Sequence, residues 1–372
     1  MKIAYTISGI FNSGGMENIL LQKANYLAEE SGVDVTIITT DQQRRGCFFP
    51  ISPKIHLIDL DINYCDAKRS KFWHLKKLYL HKLHKKRLTQ VLHKERFDIC
   101  ISLMDFDFKF LPDIKDGSKK VAEYHFSRYA KALSATNPVK RYLQRLRTYS
   151  WISSLKKLDR FIVLTTRDKE QWGDLKNMEV IPNFISQYPT TASDLNHKRI
   201  ISVGRYSYQK GFDMLLKAWS MVQDKLSDWE LVIFGGGDKT VYEDMVNSLN
   251  LDRVTLNPPT ADIGKEYLES SMYVMSSRFE GLPLVLQEAM SYGLLVISFD
   301  CPCGPSDIIK PEFGVLVENG DVEQLAASII QAASAPDWLK SAGVIARSNS
   351  LRFLKPEIMS KWESLFSDLM QN

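Results

Sequence analysis

Twice in this chain a short apolar strand runs into a glycine-bearing loop, an amphipathic helix and a second strand, and this repeated start limits the possible folds more than any other feature. In the first half, Lys2 to Ser8 precedes Gly14-Gly15, a helix spans about Glu17 to Glu30, and a strand runs from Asp34 to Thr40. In the second, Arg199 to Val203 precedes Gly204-Arg205, Gly211 opens a helix from Phe212 to Lys225, and Trp229 to Phe234 follows as a strand. A strand that returns through a helix lies parallel to the first, with the helix covering one face. Two such units predict two Rossmann-like α/β domains.

Other apolar runs supply the remaining parallel strands. In the first half they are Ile99 to Leu103, Lys120 to Tyr124, Arg160 to Leu164 and Glu179 to Ile181. In the second they are Arg253 to Leu256, Met272 to Ser276, Leu294 to Phe299 and Gly314 to Val317. Pro182 to Ile185, followed by the polar stretch Ser186 to His197, reads as a linker. The expected domains are therefore 1–185 and 186–350, with 351–372 holding an amphipathic helix from about Pro356 to Met370. At 372 residues each half can bury its own core.

No stretch of about 18 uninterrupted apolar residues is present, and the N-terminus reads as a strand rather than a signal peptide. These features predict a cytoplasmic protein. Five cysteines without a C-x-x-C pair predict reduced thiols and no structural metal. Residues 1–185 carry 32 Lys and Arg against 20 Asp and Glu, whereas 186–372 carry 16 against 24. That asymmetry predicts an anionic partner for the first half, such as a membrane surface, a pyrophosphate-bearing lipid or a nucleic acid.

The densest chemistry lies in Ser276-Ser277-Arg278-Phe279-Glu280-Gly281-Leu282-Pro283-Leu284-Val285-Leu286-Gln287-Glu288-Ala289-Met290. Gly281 and Pro283 mark a turn, and helix formers follow until Gly293. Glu280 is then on a loop and Glu288 about a turn and a half into a helix. Between them the free N–H groups of the first turn form a site for an anion. An anion flanked by two hydroxyl-binding carboxylates outlines a sugar nucleotide, although a capping Glu280 and a solvated Glu288 are the plain alternative.

Ligands of open α/β sheets bind beyond the carboxyl ends of the strands. There lie Gly14-Gly15, whose bare backbone can approach a phosphate, and Gly204-Arg205 with Lys210-Gly211. Two cations near a helix start run against its dipole, so an outside anion explains them economically. Of seven histidines, only His125 ends a strand facing the expected cleft.

With these motifs the sequence resembles the large retaining glycosyltransferase family 4, the glycosyl transferases of group 1, which has the GT-B fold and includes sucrose and glycogen synthase-like enzymes and capsule and lipopolysaccharide sugar transferases. The resemblance implies two Rossmann-like domains facing across a cleft, with a C-terminal helix crossing back to the first. It implies that Glu280 contacts the donor sugar, Glu288 binds the ribose, and Arg205 and Lys210 hold the diphosphate. Gly14, Gly15, Gly281, Leu282, Leu284 and Val285 would complete the donor site, with the base between Gly235-Gly236 and Asn257-Pro258. Relatives often carry a single glycine where Asn257-Pro258-Pro259 stands, which blurs the base pocket. His125 would lie beside the donor sugar, with Asp105 and Glu123 near the acceptor. Gly304-Pro305-Ser306-Asp307-Ile308 is similar to a cleft-edge loop of the family, and Ser306 can equally cap a helix there.

What this implies is metal-independent transfer with retention, from a UDP-sugar and without a cofactor. A sugar-nucleotide epimerase and a non-catalytic nucleotide-binding partner of another transferase remain open. Between Lys68 and Arg96, eleven Lys or Arg face only Glu95, interleaved with leucines and with Phe72, Trp73 and Tyr79. Lys140 to Lys157, with Tyr142, Tyr149 and Trp151, is a second basic and aromatic stretch. A solvated helix face is the plain reading, but aromatic residues among cations favour an anionic membrane surface. No nucleic-acid module is present. The expected acceptor is a glycan or an undecaprenyl-pyrophosphate-linked glycan, at the inner face of the cell membrane.

Overall fold

The computed structural model describes residues 1–68, 71, 73–134 and 137–371; Arg69 and Phe72 of the basic segment lie outside them. The first half forms a sheet of β1 (Lys2–Ile7), β2 (Asp34–Thr39), β3 (His56–Asp59), β4 (Ile99–Ser102), β5 (Lys119–Tyr124), β6 (Arg160–Val163) and β7 (Met178–Val180). Their order is β3-β2-β1-β4-β5-β6-β7, every pair parallel. The second half forms β8 (Arg199–Val203), β9 (Glu230–Phe234), β10 (Val254–Asn257), β11 (Met272–Met275), β12 (Leu295–Phe299) and β13 (Gly314–Val317), in the order β10-β9-β8-β11-β12-β13. These are two Rossmann-like sheets, and in each the chain order reverses beside the first strand, at β1/β4 and β8/β11. Such reversals open a crevice at the strand ends.

The central strands are apolar on both faces because helices cover both, as in β4 and β11, whose residues are all buried. Edge strand β3 was not expected from the sequence. It leaves His56, Leu57 and Asp59 exposed, so it lacks the continuous apolar signal of its neighbours.

Lys355–Gln371 forms the terminal helix, and Ile358, Met359, Trp362, Leu365, Phe366 and Leu369 line one stripe of it. That stripe joins the same core as Ile19, Leu20 and Leu27 of the first helix, Gly15–Glu29, so the chain ends on the first domain. A hydrogen bond from Ser31 Oγ to Glu363 Oε1 (2.5 Å) adds to the contact.

The domains also meet near the cleft. Asp307 turns its carboxylate to the start of the helix Thr166–Trp172 in the first domain, accepting from the N–H of Thr166 at 2.7 Å. Arg167 of that helix pairs with Asp300. The loop read as cleft edge and local cap therefore docks one domain on the other through Asp307, which accepts from the first N–H of a helix in the other domain whose own N-cap is Thr165.

At the floor of the first domain, Asp107 accepts from Thr6 Oγ1 and from Ser102 Oγ (2.9 Å). Burial pushes its carboxyl up to about 6, against the lowering effect of those bonds. A folded pKa above the unfolded value means the native state holds the proton more tightly. Its contribution to stability is thus present below about pH 4 and lost as the pH rises to about 6. Asp107→Asn removes that loss, because both hydroxyls can rotate to meet an amide. Between pH 4 and 7 the variant should gain roughly 2–3 kcal/mol relative to the wild type, read from urea unfolding. Parallel pH profiles for the two proteins would exclude the assignment.

Candidate functional site

The second domain builds its side of the cleft from the ends of β8 and β11. Gly211 has φ +63°, and a Cβ there would lie 2.1 Å from the Ser276 carbonyl, so only glycine lets the loop press against the end of β11. Ser276 Oγ donates to the Lys210 carbonyl (3.0 Å), and the Arg278 N–H donates to the Gln209 carbonyl (2.8 Å). Gly204 leaves room for the Lys210 chain, whose carbons would sit 2.8–3.1 Å from any Cβ at that position.

Held this way, Lys210 Nζ meets Glu280 Oε1 at 2.8 Å. Gln209 Nε2 donates to the Phe279 carbonyl (3.0 Å) and reaches Glu280 Oε2 at 3.3 Å. Glu280, only 7% exposed, is therefore fixed by one cation and one amide. Gln209 was not singled out from the sequence, since a glutamine two residues from a glycine carries no spacing signal. Arg205 is exposed into the cleft and, among the described residues, its guanidinium has no ion pair.

The helix Leu284–Ser291 follows Pro283, and its first-turn N–H groups at Leu284 and Val285 precede the first intrahelical partner. Glu288 lies farther along, half-buried, with Tyr267 OH 3.5 Å from Oε2. Burial raises its carboxyl above the usual range, against the lowering effects of Tyr267 and Lys210. Leu282 is buried in the domain core.

Gly235 is packed so tightly that a Cβ would fall 1.7 Å from the Gly204 carbonyl, which locks the loops after β8 and β9 together. A Cβ on Gly236 would touch only Pro259, at 3.4 Å. The Asn257 carbonyl accepts from Gly235 N–H (3.1 Å) and Tyr206 OH (2.9 Å), and Pro258 is exposed beside it. Asn257 thus spends its backbone acceptor on holding the loops.

Across the cleft, Gly14 caps the first helix and the space above Gly15 is open, with nothing within 4 Å of the point a Cβ would occupy. Gly281 meets the first domain directly: a Cβ there would lie 2.5 Å from the His125 carbonyl and 3.2 Å from Phe126 Cα. His125 is thereby beside the Glu280 loop. Its Nε2 lies 3.1 Å from Glu123 Oε1, and Glu123 Oε2 is taken by Lys23 Nζ.

Burial would raise the Glu123 carboxyl, but Lys23 and His125 outweigh it and hold the group down at about 2. Glu123, expected near an acceptor, is 1% exposed with both oxygens engaged. Its place is behind His125. Asp105, the other expected acceptor contact, accepts from the Ser8 N–H and Oγ (both 2.7 Å) and so braces the loop after β1.

Two facing Rossmann-like domains, with cations, a helix start and two glutamates on the crevice at their strand ends, define the GT-B class. Two family profiles match the chain, "Glycosyl transferases group 1" over residues 187–348 and "Glycosyltransferase Family 4" over residues 13–187, and the chain belongs to this glycosyltransferase family. It is 27% identical to an uncharacterised glycosyltransferase of Haemophilus influenzae over 98% of this chain and 99% of that one. It is 24% identical, over 99% of both chains, to the GalNAc-alpha-(1->4)-GalNAc-alpha-(1->3)-diNAcBac-PP-undecaprenol alpha-1,4-N-acetyl-D-galactosaminyltransferase of Campylobacter jejuni. The fold matches S. aureus TarM, solved with fondaparinux, α-GlcNAc-glycerol and UDP, with a TM-score of 0.77 at 16% identity over 98% of this chain and 99% of that one.

Proposed function

We propose that this glycosyltransferase moves a hexose or N-acetylhexosamine, with retention, from a UDP-sugar to a hydroxyl of a lipid-linked glycan in bacterial surface polysaccharide synthesis. The carrying observation is the cluster of Arg205, Lys210, Gln209 and Glu280 at the ends of β8 and β11, set against His125 through Gly281. In this reading the diphosphate enters beside Arg205, Lys210 and the amides of Leu284 and Val285. Negative charge develops on it as the glycosidic bond breaks, and donors already in place stabilise that charge without reorganising. Glu280 orients the sugar, Glu288 takes the ribose hydroxyls, and His125, whose carbonyl abuts Gly281, lies beside the sugar. The departing phosphate oxygen takes the acceptor proton on the same face. No metal is required in this scheme.

The reading of the acceptor as lipid-linked draws on the Campylobacter relative and on the surface of the first domain. The helix Trp73–Glu95 buries Leu88 and Leu92 but exposes Leu75, Leu78 and Tyr79. The helix Pro138–Leu155 exposes Tyr142, Leu143, Leu146 and Tyr149 between Lys140, Arg141, Arg145 and Arg147. Lys77 of the first helix is close enough to Arg147 of the second for the two charges to interact. Apolar and aromatic groups among cations suit an anionic bilayer surface at the inner face of the membrane. Among the described residues no helix is long and apolar enough to cross a membrane.

A thermal-shift screen of nucleoside diphosphate sugars tests the donor, since a ligand that binds only the native state raises its melting temperature. A UDP-sugar is expected to stabilise the protein most, and acceptor-dependent release of UDP should follow. If no nucleotide sugar shifts the melting curve, the reading fails.

A further inference from the structure

The loop after β5, residues 125–129, buries a cation that the donor site does not use. Arg128 is 5% exposed, and so is Trp151 on the helix Pro138–Leu155. Arg128 Nη1 donates to the Gln171 carbonyl, but its Nε and Nη2 have no hydrogen-bond partner, and neither has Trp151 Nε1. Among the described residues the guanidinium has no ion pair. Asp168, the acid whose charge reaches it, spends Oδ1 on the Arg128 backbone N–H (2.8 Å) and Oδ2 on Trp172 Nε1 (3.0 Å). A buried charge without a counter-charge is among the costliest groups a fold can carry.

Both side chains line a small cavity of about 20 Å³, together with Tyr124, Gln144, Arg147 and Thr148. A space of roughly 10–15 Å³ admits one water, so this one takes a single water or a monatomic ion and has no room for a phosphate. Arg128 Nε carries one unmet hydrogen, Nη2 two and Trp151 Nε1 one. A water could accept from only part of that set and would leave the charge unanswered. Thr148 Oγ1 already donates to the Arg145 carbonyl (2.7 Å), and the unmet Gln144 Oε1 can exchange places with its NH₂ by a turn of the amide. The rings of Tyr149, Trp172 and Tyr129, with centroids 4.6, 5.0 and 5.1 Å from the guanidinium carbon, answer its faces and not its N–H edge. Arg147 adds a second cation to the wall, with Lys77 and Lys109 near enough to interact with it. The surroundings are therefore rich in donors and in positive charge.

We propose that this cavity is a site for a halide ion such as chloride, held by Arg128 and by Trp151 Nε1. The ion ties the helix Pro138–Leu155 to the loop 125–129, whose His125 and Phe126 backbone abuts Gly281 of the second domain. Halide occupancy is thereby linked to the stability of the first domain's wall of the cleft. The assignment draws on no nucleotide or sugar, so it stands or falls apart from the transferase reading.

Two measurements on the full-length protein test it. As sodium chloride replaces sodium gluconate at constant ionic strength, the melting temperature should rise and then saturate, because gluconate is too large for the cavity and screening is held fixed. Arg128→Met should abolish the response. Trp151→Phe keeps a ring in the aromatic cluster and removes one N–H, so it should weaken the apparent chloride affinity roughly 10- to 100-fold, the worth of a hydrogen bond to a charged group. In crystals grown with bromide, an anomalous peak is expected between Arg128 and Trp151. Diffraction needs no variant, so it decides even where a substitution prevents folding. A salt response that is absent or never saturates, wild-type chloride affinity in Trp151→Phe, or a cavity that holds water without an anomalous peak would each overturn the proposal.

Discussion

Lys23→Met is expected to lower the stability of the protein by about 3–5 kcal/mol, the usual cost of stranding one partner of a buried ion pair. Lys23 is fully buried on the first helix, beneath the Trp362 ring of the terminal helix at 3.9 Å and beside Tyr5 at 5.4 Å. Its ammonium reaches Glu123, and burial alone would drive the lysine towards neutrality, which Glu123 opposes. Without the cation, Glu123 keeps a charge in the core with only His125 to answer it. Lys23→Met combined with Glu123→Gln removes both charges and should recover most of the loss, so the two changes should be strongly non-additive in urea unfolding. Additive losses would mean that Lys23 is held by its aromatic neighbours alone. The pH dependence supplies a second reading. Glu123 has a folded pKa of about 2, below its unfolded value, so its contribution is present above about pH 4.5 and lost as the pH falls towards 2. Lys23→Met should flatten that acid limb.

That network shows where sequence reasoning stops. Both βαβ starts, the strand pattern and the turn before Leu284 were legible because each is a local pattern: apolar runs, glycines and a helix opening within a few residues. Lys23 was not, since a lysine on a helix is ordinarily solvated. Its position held a signal all the same, for Ile19, Lys23 and Leu27 are spaced four residues apart and share one buried face. What could not be read was the partner, because Glu123 is 100 residues away on another element. The same distance hid the part played by Glu123, which from its strand-end position looked like a cleft residue. Asp307 and Gln209 escaped for a related reason. Their work is done on the other domain and on the neighbouring loop, and local capping rules describe only the helix a residue begins. Edge strand β3 was missed because its pattern is mostly exposed.

Arg205→Ala is expected to cut kcat/KM for nucleotide-sugar transfer by about 10²–10³, the loss typical of removing one preorganised donor to a developing anion. The cations of the donor cluster are not equivalent before a ligand arrives. Lys210 is compensated by Glu280 at 2.8 Å, so an entering diphosphate has to share it. Arg205 faces the cleft uncommitted among the described residues, on a loop whose backbone is pinned by the contact of Gly235 with Gly204. It can therefore turn its whole charge and its planar fork to the phosphates. Arg205→Lys keeps the charge but loses the fork and should recover only part of the activity. Because Arg205 is exposed, either change should leave stability within about 0.5 kcal/mol of the wild type, which separates a catalytic loss from a folding loss. If the interaction strengthens as the diphosphate departs, kcat falls with kcat/KM. A rise in KM at constant kcat would place Arg205 in ground-state binding of the donor, and a loss smaller than about tenfold would remove it from the transition-state cluster.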